Sequence, residues 1–534
     1  MLLFNSFFYL IFLFIAISGY FLTPKKHRWI TLLIFSLIFY ATFSYKFLFF
    51  LFATITTIYL GARYFDKVNT AQKEFLETEG AQLDIEAKKQ LKRKNKRKKK
   101  AVFILVLLFN VGVLFALKYL NFVGGIVNDM IGWFSGKPVV PRFSLILPLG
   151  ISFYTFQALG YLIDCYWGKI QPQKNFFKFA LFLSFFPQLV QGPISRYDQI
   201  GEALIGGGDF NPKNIVRGGQ LIIWGLFKKM VVADLFAYAV TSIFGQWQTA
   251  SSLVVILGAL FYFFQDYADF SGCIDIARGS AECLGINLPQ NFERPYFAFS
   301  IAEYWRRWHI TLGTWFKDYI FYPISVSKFS MKLGKVSKKI FGAFGKNIPA
   351  IVGLLVTWLT TGIWHGASWN YVVWGLYFGI LIVSQIIFQP LVDKVVAKLK
   401  INTKNGFVRA FAWFRTLILL LIGRTIFRGE SLQASFTMIG KGFCIFTYDF
   451  SRLVQDFTTF SINQLTLIAF IGMAIVLIVD LIKELHPNIS LRDKISSAPI
   501  VVSWSVFLLL IAVIVIFGAY GVTTSVADFI YMQF

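Results

Sequence analysis

Apolar residues run along this chain in long blocks. The stretches 1–22, 30–65, 101–121, 249–265, 371–389 and 499–518 carry few or no charges. At about 17 residues or more, each can cross a bilayer core as a helix. Between 143 and 325 the pattern changes. Apolar segments there are short and are interrupted by Pro148, Pro187, Pro193, Pro289 and Pro295 and by a glycine run at Gly206–Gly208. Broken helices at membrane depth are tolerated only where protein or a cavity satisfies the freed backbone groups. The pattern predicts an all-α polytopic membrane protein of roughly ten to twelve crossings, forming a single membrane domain over 1–534. Re-entrant or broken helices are expected around a polar interior in its central third. No internal repeat is visible.

Composition agrees. The chain is 56% hydrophobic and 15% charged, whereas a soluble protein carries about a quarter charged residues. The net charge of +25 would suggest nucleic acid if it were spread over a surface, but it is concentrated between spans. Eight of the ten residues Leu91–Lys100 are Lys or Arg, and 328–346 and 394–409 are also Lys-rich. Basic loops between spans are retained on the cytoplasmic side and attract anionic headgroups. Anionic lipid is therefore the expected partner of 91–100, and no nucleic-acid module is present. With Lys25, Lys26 and Arg28 inside, the N-terminus lies outside. The 66–100 insert lies inside as an exposed helix against the headgroups. A loop at 122–142 and the stretch 432–462 lie outside. The first apolar stretch has no charge before Lys25, which predicts a retained span rather than a signal peptide. The four cysteines, at 165, 273, 283 and 444, form no CxxC pair or disulfide framework.

Candidate chemistry narrows to two of the four histidines. His27 lies in a basic loop and His486 precedes Pro487 at a span end, both ordinary interface positions. His309 follows Glu303-Tyr304-Trp305-Arg306-Arg307-Trp308, and Trp305, Trp308, Trp315, Tyr319 and Tyr322 recur at helical spacing. That spacing fits an interfacial amphipathic helix as well as it fits a site. His365 lies in Thr361-Gly362-Ile363-Trp364-His365-Gly366 between two apolar segments, at the tip of an expected tight hairpin where Gly362 and Gly366 allow close backbone approach. An imidazole inside a membrane segment is a functional hypothesis by default, the alternative being a core histidine bonded to a carbonyl. HExxH, Walker A and GxSxG signatures are absent, as is a histidine followed five residues later by Asp. Asp266, Asp269 and Asp275 lie at membrane depth, where they suit an ion pathway or pairing with Arg306 or Arg307.

Arg306-Arg307-Trp308-His309 running into Trp315-Phe316-Lys317-Asp318-Tyr319, together with Trp364-His365-Gly366, resembles the membrane-bound O-acyltransferase superfamily. More specifically, it is similar to the bacterial alginate O-acetyltransferase membrane subunit and its peptidoglycan and exopolysaccharide relatives. Leu147–Gln157, Phe186-Pro187-Gln188, Gly192-Pro193-Ile194, Asp269-Phe270-Ser271-Gly272 and Phe427-Arg428 extend the resemblance over about 145–431, the family-like core. The resemblance implies a bacterial cytoplasmic-membrane protein with an outward funnel and a tunnel to the cytoplasm. It implies transfer of an acyl group, expected to be acetyl, from a cytoplasmic thioester (acetyl-CoA or an acyl carrier protein) to a hydroxyl outside. No permanently bound cofactor or metal is expected. His365 takes the catalytic position and His309 a second, supporting one. Arg306, Arg307, Trp308, Asp318, Trp364, Asn370, Asp269, Ser271 and Gln188 are expected to support the site or line the tunnel. A neutral imidazole suits a general base near neutral pH, and His309, Arg306 or Asn370 could donate to the oxyanion. Histidine as a transient acyl carrier is a second route. Expected partners are a polysaccharide and an extracytoplasmic acetyltransferase or a small membrane-anchored acyl acceptor. The competing readings are a D-alanyl transferase for teichoic acid and a polysaccharide transporter or flippase, the latter disfavoured by the missing repeat symmetry.

Overall fold

Backbone groups in a bilayer must be satisfied within the chain, and helices meet that demand here. The structure, a computed structural model, describes residues 2–135 and 138–520. Among these residues every regular element is helical apart from one isolated antiparallel bridge, Phe292 to Trp308. Among the described residues eight helical segments are long and apolar enough to cross a membrane, beginning with Phe47–Glu77 and ending with Ile500–Phe517. Phe7–Leu22 is apolar but shorter. Contacts cluster into two units.

The first unit comprises the chain up to Val216 together with Ser280–Pro289. Aromatic edges hold it: Phe12 meets Phe39 and Phe186 at ring separations of 5.7 and 5.3 Å. Tyr9 shares a buried hydrogen bond of 2.9 Å with Ser280. Two expectations need correction here. The basic insert 66–100 is not one helix lying along the headgroups. It is the extension of two long helices, Phe47–Glu77 and Ile85–Ser135, paired as a hairpin by Lys99 to Asn69 (2.7 Å) and Asn95 to Gln72 (3.1 Å). The loop expected at 122–142 is mostly helix, because Ile85–Ser135 continues unbroken for 51 residues. Asparagines explain the continuation. Asn121 brackets the backbone of Phe143 and Asn128 that of Val140, at 2.7–2.9 Å, so the returning chain gains partners from the helix side.

The second unit comprises Arg217–Gly279 and the chain from Gln290 on. Short pieces dominate its first part, as the interrupted pattern predicts. A π-helical turn spans Phe227–Ala233, and Ile301–Arg307 and Ile310–Phe316 are each seven residues long. The exception is Ser252–Cys283, an unbroken 32-residue helix. Its carboxylates are neutralised, but not by Arg306 or Arg307. Asp266 pairs with Arg424, Asp269 with Lys229 (2.7 Å) and Asp275 with Lys228 (2.6 Å). Both lysines come from the π-helical turn, whose extra residue points consecutive side chains into the same neighbour. A buried charge without a counter-ion is strongly unfavourable, so these pairs fix how the Ser252–Cys283 helix seats against its surroundings.

Candidate active site

His365 ends the helix Ile348–His365, and Trp369–Lys398 begins after three intervening residues, with the Ser368 side chain capping it by accepting the Asn370 backbone N–H. The two helices meet at glycines. A Cβ on Gly362 would collide with the Tyr371 carbonyl and sit 3.1 Å from the Gly375 Cα, and one on Gly366 would collide with the Tyr371 ring. The tight hairpin inferred from the glycines is thus present, and it buries His365 to 5% exposure. Trp364, Trp374 and Phe427 surround the imidazole at ring separations of 4.8, 4.9 and 5.2 Å.

His309 arrives from a different backbone arrangement. The aromatic stripe from Trp305 to Tyr322 fits a helix by its spacing, but the helix breaks at Trp308. Segment 291–293 pairs alongside: Glu293 N–H donates to the Arg307 carbonyl (2.9 Å) and Ile310 N–H to the Asn291 carbonyl (3.0 Å). Between those bonds His309 adopts a left-handed conformation, φ 47° and ψ 51°, which costs free energy for a residue with a Cβ. The imidazole is 3% exposed and packs edge-on against Phe270 at 4.7 Å. Burial pushes its pKa down to about 3, because a dry site disfavours the charged ring.

His309 and His365 line one cavity of about 410 Å³, within the size range of small-molecule sites, about 300–1,000 Å³. Trp305, Trp308, Trp358, Trp374, Thr361 and Phe427 supply much of its wall. Arg306 and Lys317 stand where the wall is exposed, and Arg424 is buried within it. The indole N–H groups of Trp305 and Trp374 are buried and have no hydrogen-bond partner among the described residues. Two imidazoles, a cationic edge and buried donors in one enclosure can accept a proton, hold an anionic group and stabilise a developing oxyanion.

A model of the family described as MBOAT, membrane-bound O-acyltransferase, matches residues 170–422. A probable alginate O-acetylase of Pseudomonas aeruginosa is 30% identical over 481 residues, covering 88% of this chain and 81% of the relative. The chain belongs to the membrane-bound O-acyltransferase family. A peptidoglycan O-acetyltransferase of Helicobacter pylori is 30% identical over 367 residues, 64% of each chain. A teichoic acid D-alanyltransferase of Bacillus subtilis is 28% identical over 302 residues, 55% of this chain and 72% of the relative. The protein is thus an O-acyltransferase and a multi-pass protein of the cell membrane.

Within this acyltransferase the expected site residues separate. Arg306 and Trp308 line the cavity with the two histidines. Trp364 lies outside the lining, but its ring packs on both imidazoles, 6.1 Å from His309 and 4.8 Å from His365. Asn370 does not reach the cavity. Its amide nitrogen donates to the carbonyls of Ile426 (3.0 Å) and Gly429 (2.8 Å) and to Ser435 (3.2 Å), tying the hairpin to the end of Gly406–Arg428. Arg307 is held by Glu303 (2.7 Å) and Glu484 (2.9 Å). Asp269 pairs with Lys229, Ser271 accepts from Lys228 (2.9 Å), and Asp318 is half-buried in a π-helical stretch outside the lining. Gln188 belongs to the first unit, where it donates to the Phe182 carbonyl (2.9 Å). Arg424, Trp374 and Asn291 were not anticipated, and Trp305 and Lys317 entered only as parts of motifs without a role. Arg424 had a signal, a charge inside an otherwise apolar span; Asn291 had none.

Proposed function

We propose that this acyltransferase moves an acetyl group from a cytoplasmic thioester, acetyl-CoA or an acyl carrier protein, to a hydroxyl on an extracytoplasmic polysaccharide or partner protein. The observation that carries the reading is the shared cavity of His365 and His309. The acceptor oxygen attacks the thioester carbonyl as His365 takes its proton. The tetrahedral intermediate then collapses to an ester, and the departing sulfur receives that proton and leaves as a thiol. Arg306 and Lys317, at the exposed edge of the cavity, suit the phosphates of a coenzyme A or phosphopantetheine donor. Trp305 and Trp374 suit the oxyanion. Acetyl is favoured over D-alanyl because the alginate O-acetylase match extends over 88% of the chain against 55% for the D-alanyltransferase.

The test is transfer in proteoliposomes with labelled acetyl and D-alanyl thioesters compared. His365→Ala should abolish transfer with insertion intact. Transfer at the wild-type rate by both His365→Ala and His309→Ala would refute the enzyme reading, and a preference for the D-alanyl donor would refute acetyl.

A further inference from the structure

Asn291 is fully buried, and its side-chain oxygen collects three contacts. The Thr311 N–H donates to it at 3.0 Å, the Thr311 hydroxyl at 2.9 Å, and His309 Nδ1 lies 3.3 Å away. The orientation of an asparagine amide is decided by its network. Here the decision is unambiguous: a backbone N–H can only donate, so the atom facing Thr311 is the oxygen. That oxygen accepts and never donates. The ring nitrogen facing it must therefore carry its hydrogen, since a lone pair there would meet the lone pairs of the oxygen. With Nδ1 protonated, a neutral imidazole bears its lone pair on Nε2. The same asparagine accepts the Ile310 N–H through its main-chain carbonyl. One residue thus secures both the left-handed backbone of His309 and the tautomer of its ring.

We propose that Asn291 is a positioning residue that fixes His309 as the Nδ1–H tautomer, so that His309 serves the reaction as a hydrogen-bond acceptor at Nε2 and not as an oxyanion donor. Two independent features support it. The strained conformation at φ 47° persists only where surroundings over-determine it, and the Phe292–Trp308 bridge with the Asn291 contacts supplies that determination. No donor to a carbonyl oxygen is then required of His309, because the cavity already holds the indole N–H groups of Trp305 and Trp374 and the Arg424 guanidinium. An acceptor at Nε2 orients the attacking hydroxyl by taking its hydrogen bond. His365 stands in the same wall, where the proposed function places the base. The inference rests on that function.

The test compares Asn291→Leu, which removes the acceptor, with Asn291→Asp, which keeps it and adds charge. The charged and titratable groups around the ring are His365 and Arg424 in the cavity wall, Arg306 and Lys317 at its edge, and Asp266, which neutralises Arg424. Asn291→Leu should lower kcat about 100-fold, on the scale of a lost acid–base contribution, while KM for the thioester stays near the wild-type value. Asn291→Asp should retain most of the wild-type activity and move the acid limb of the His309 imidazole titration, followed by 15N NMR of its ring nitrogens, upward by about one unit or more. The sign follows because a carboxylate facing Nδ1–H stabilises the imidazolium, so the Nε2 lone pair is lost at a higher pH. Equal losses in the two variants with an unmoved limb would reduce Asn291 to packing and overturn the proposal, as would wild-type kcat in Asn291→Leu. If Asn291→Leu does not fold, the limb of Asn291→Asp decides alone. His365→Ala run in parallel separates the two ideas. Activity there refutes the proposed function itself, whereas an inactive His365→Ala beside unaffected Asn291 variants refutes only the tautomer assignment.

Discussion

Arg424 illustrates how one side chain can serve both structure and site. It lies inside the apolar helix Gly406–Arg428 at 3% exposure, paired with Asp266, bonded to the Tyr304 hydroxyl (2.8 Å) and stacked 4.4 Å over the Trp308 ring. Removing one partner of a buried ion pair leaves the other charge stranded, at a cost of about 3–5 kcal/mol. Arg424→Met should therefore lower the melting temperature of the detergent-solubilised protein sharply. Arg424→Met with Asp266→Leu should recover most of that loss, because replacing the whole pair by apolar groups is often neutral. If the double variant melts no higher than the single one, the pair is not the stabilising unit. Trp374 makes a finer probe. Trp374→Phe deletes the indole N–H together with the pyrrole part of a 1%-exposed ring, so the cavity left behind should lower stability modestly while the protein still folds. Transfer should fall about 100-fold or more if that N–H meets the oxyanion; an unchanged kcat would remove Trp374 from the reaction.

At the scale of elements, the two histidines show what a linear pattern reveals and what it hides. The hairpin carrying His365 was legible because its determinants are local: two glycines, a short turn and apolar flanks lie within a dozen residues. The break at His309 was not legible. The tryptophan spacing there is helical, and the helix is interrupted by pairing with 291–293, a non-local contact that no periodicity encodes. The same reason hid Asn291, eighteen positions away in sequence from the ring it contacts. Expected partners for the intramembrane carboxylates failed likewise: neighbours along the chain, Arg306 and Arg307, gave way to Lys228, Lys229 and Arg424 from other elements. The glycine crossing yields a direct prediction. A Cβ on Gly375 would collide with the Trp358 carbonyl and lie 3.0 Å from the Gly362 Cα. Gly375→Val should therefore force the hairpin apart, and properly inserted protein should largely disappear by size-exclusion chromatography. Gly440 has open space around its missing Cβ and sits within the helix Leu432–Phe443. Gly440→Ala should be tolerated and should raise stability by up to about 1 kcal/mol. Equal behaviour of the two variants would show that the crossing is not tight.

Over the whole molecule, charge and transfer direction are linked through topology. Lys96, Lys338 and Lys400 are all exposed, as are Val139 and Phe446. The basic-loop distribution puts the three lysines inside and the other two outside. Single cysteines at these positions, with the four native cysteines replaced, should react with an impermeant thiol reagent in intact cells only at 139 and 446. Labelling of Lys96→Cys would reverse the orientation and with it the direction of acyl transfer. On the side assigned to the outside, the stretch 432–462 is a pair of short helices tied down onto a neighbouring turn. Lys441 binds the carbonyls of Trp247, Gln248 and Ala250 at 2.7–3.1 Å, and Asp456 binds Ser251 at 2.6 Å and Tyr448 at 3.0 Å. A rim of this size, held by its own hydrogen bonds, offers little surface on which to grip a polymer. The acceptor at the cavity should therefore be a hydroxyl presented by a second component, either an extracytoplasmic acetyltransferase or a small membrane-anchored carrier. Proteoliposomes loaded with a labelled acetyl thioester should cleave it slowly and leave added polysaccharide unlabelled. Polymer labelling should appear only when the extracytoplasmic component is supplied from outside. Efficient labelling by this chain alone would show that it completes the transfer itself and would exclude the relay.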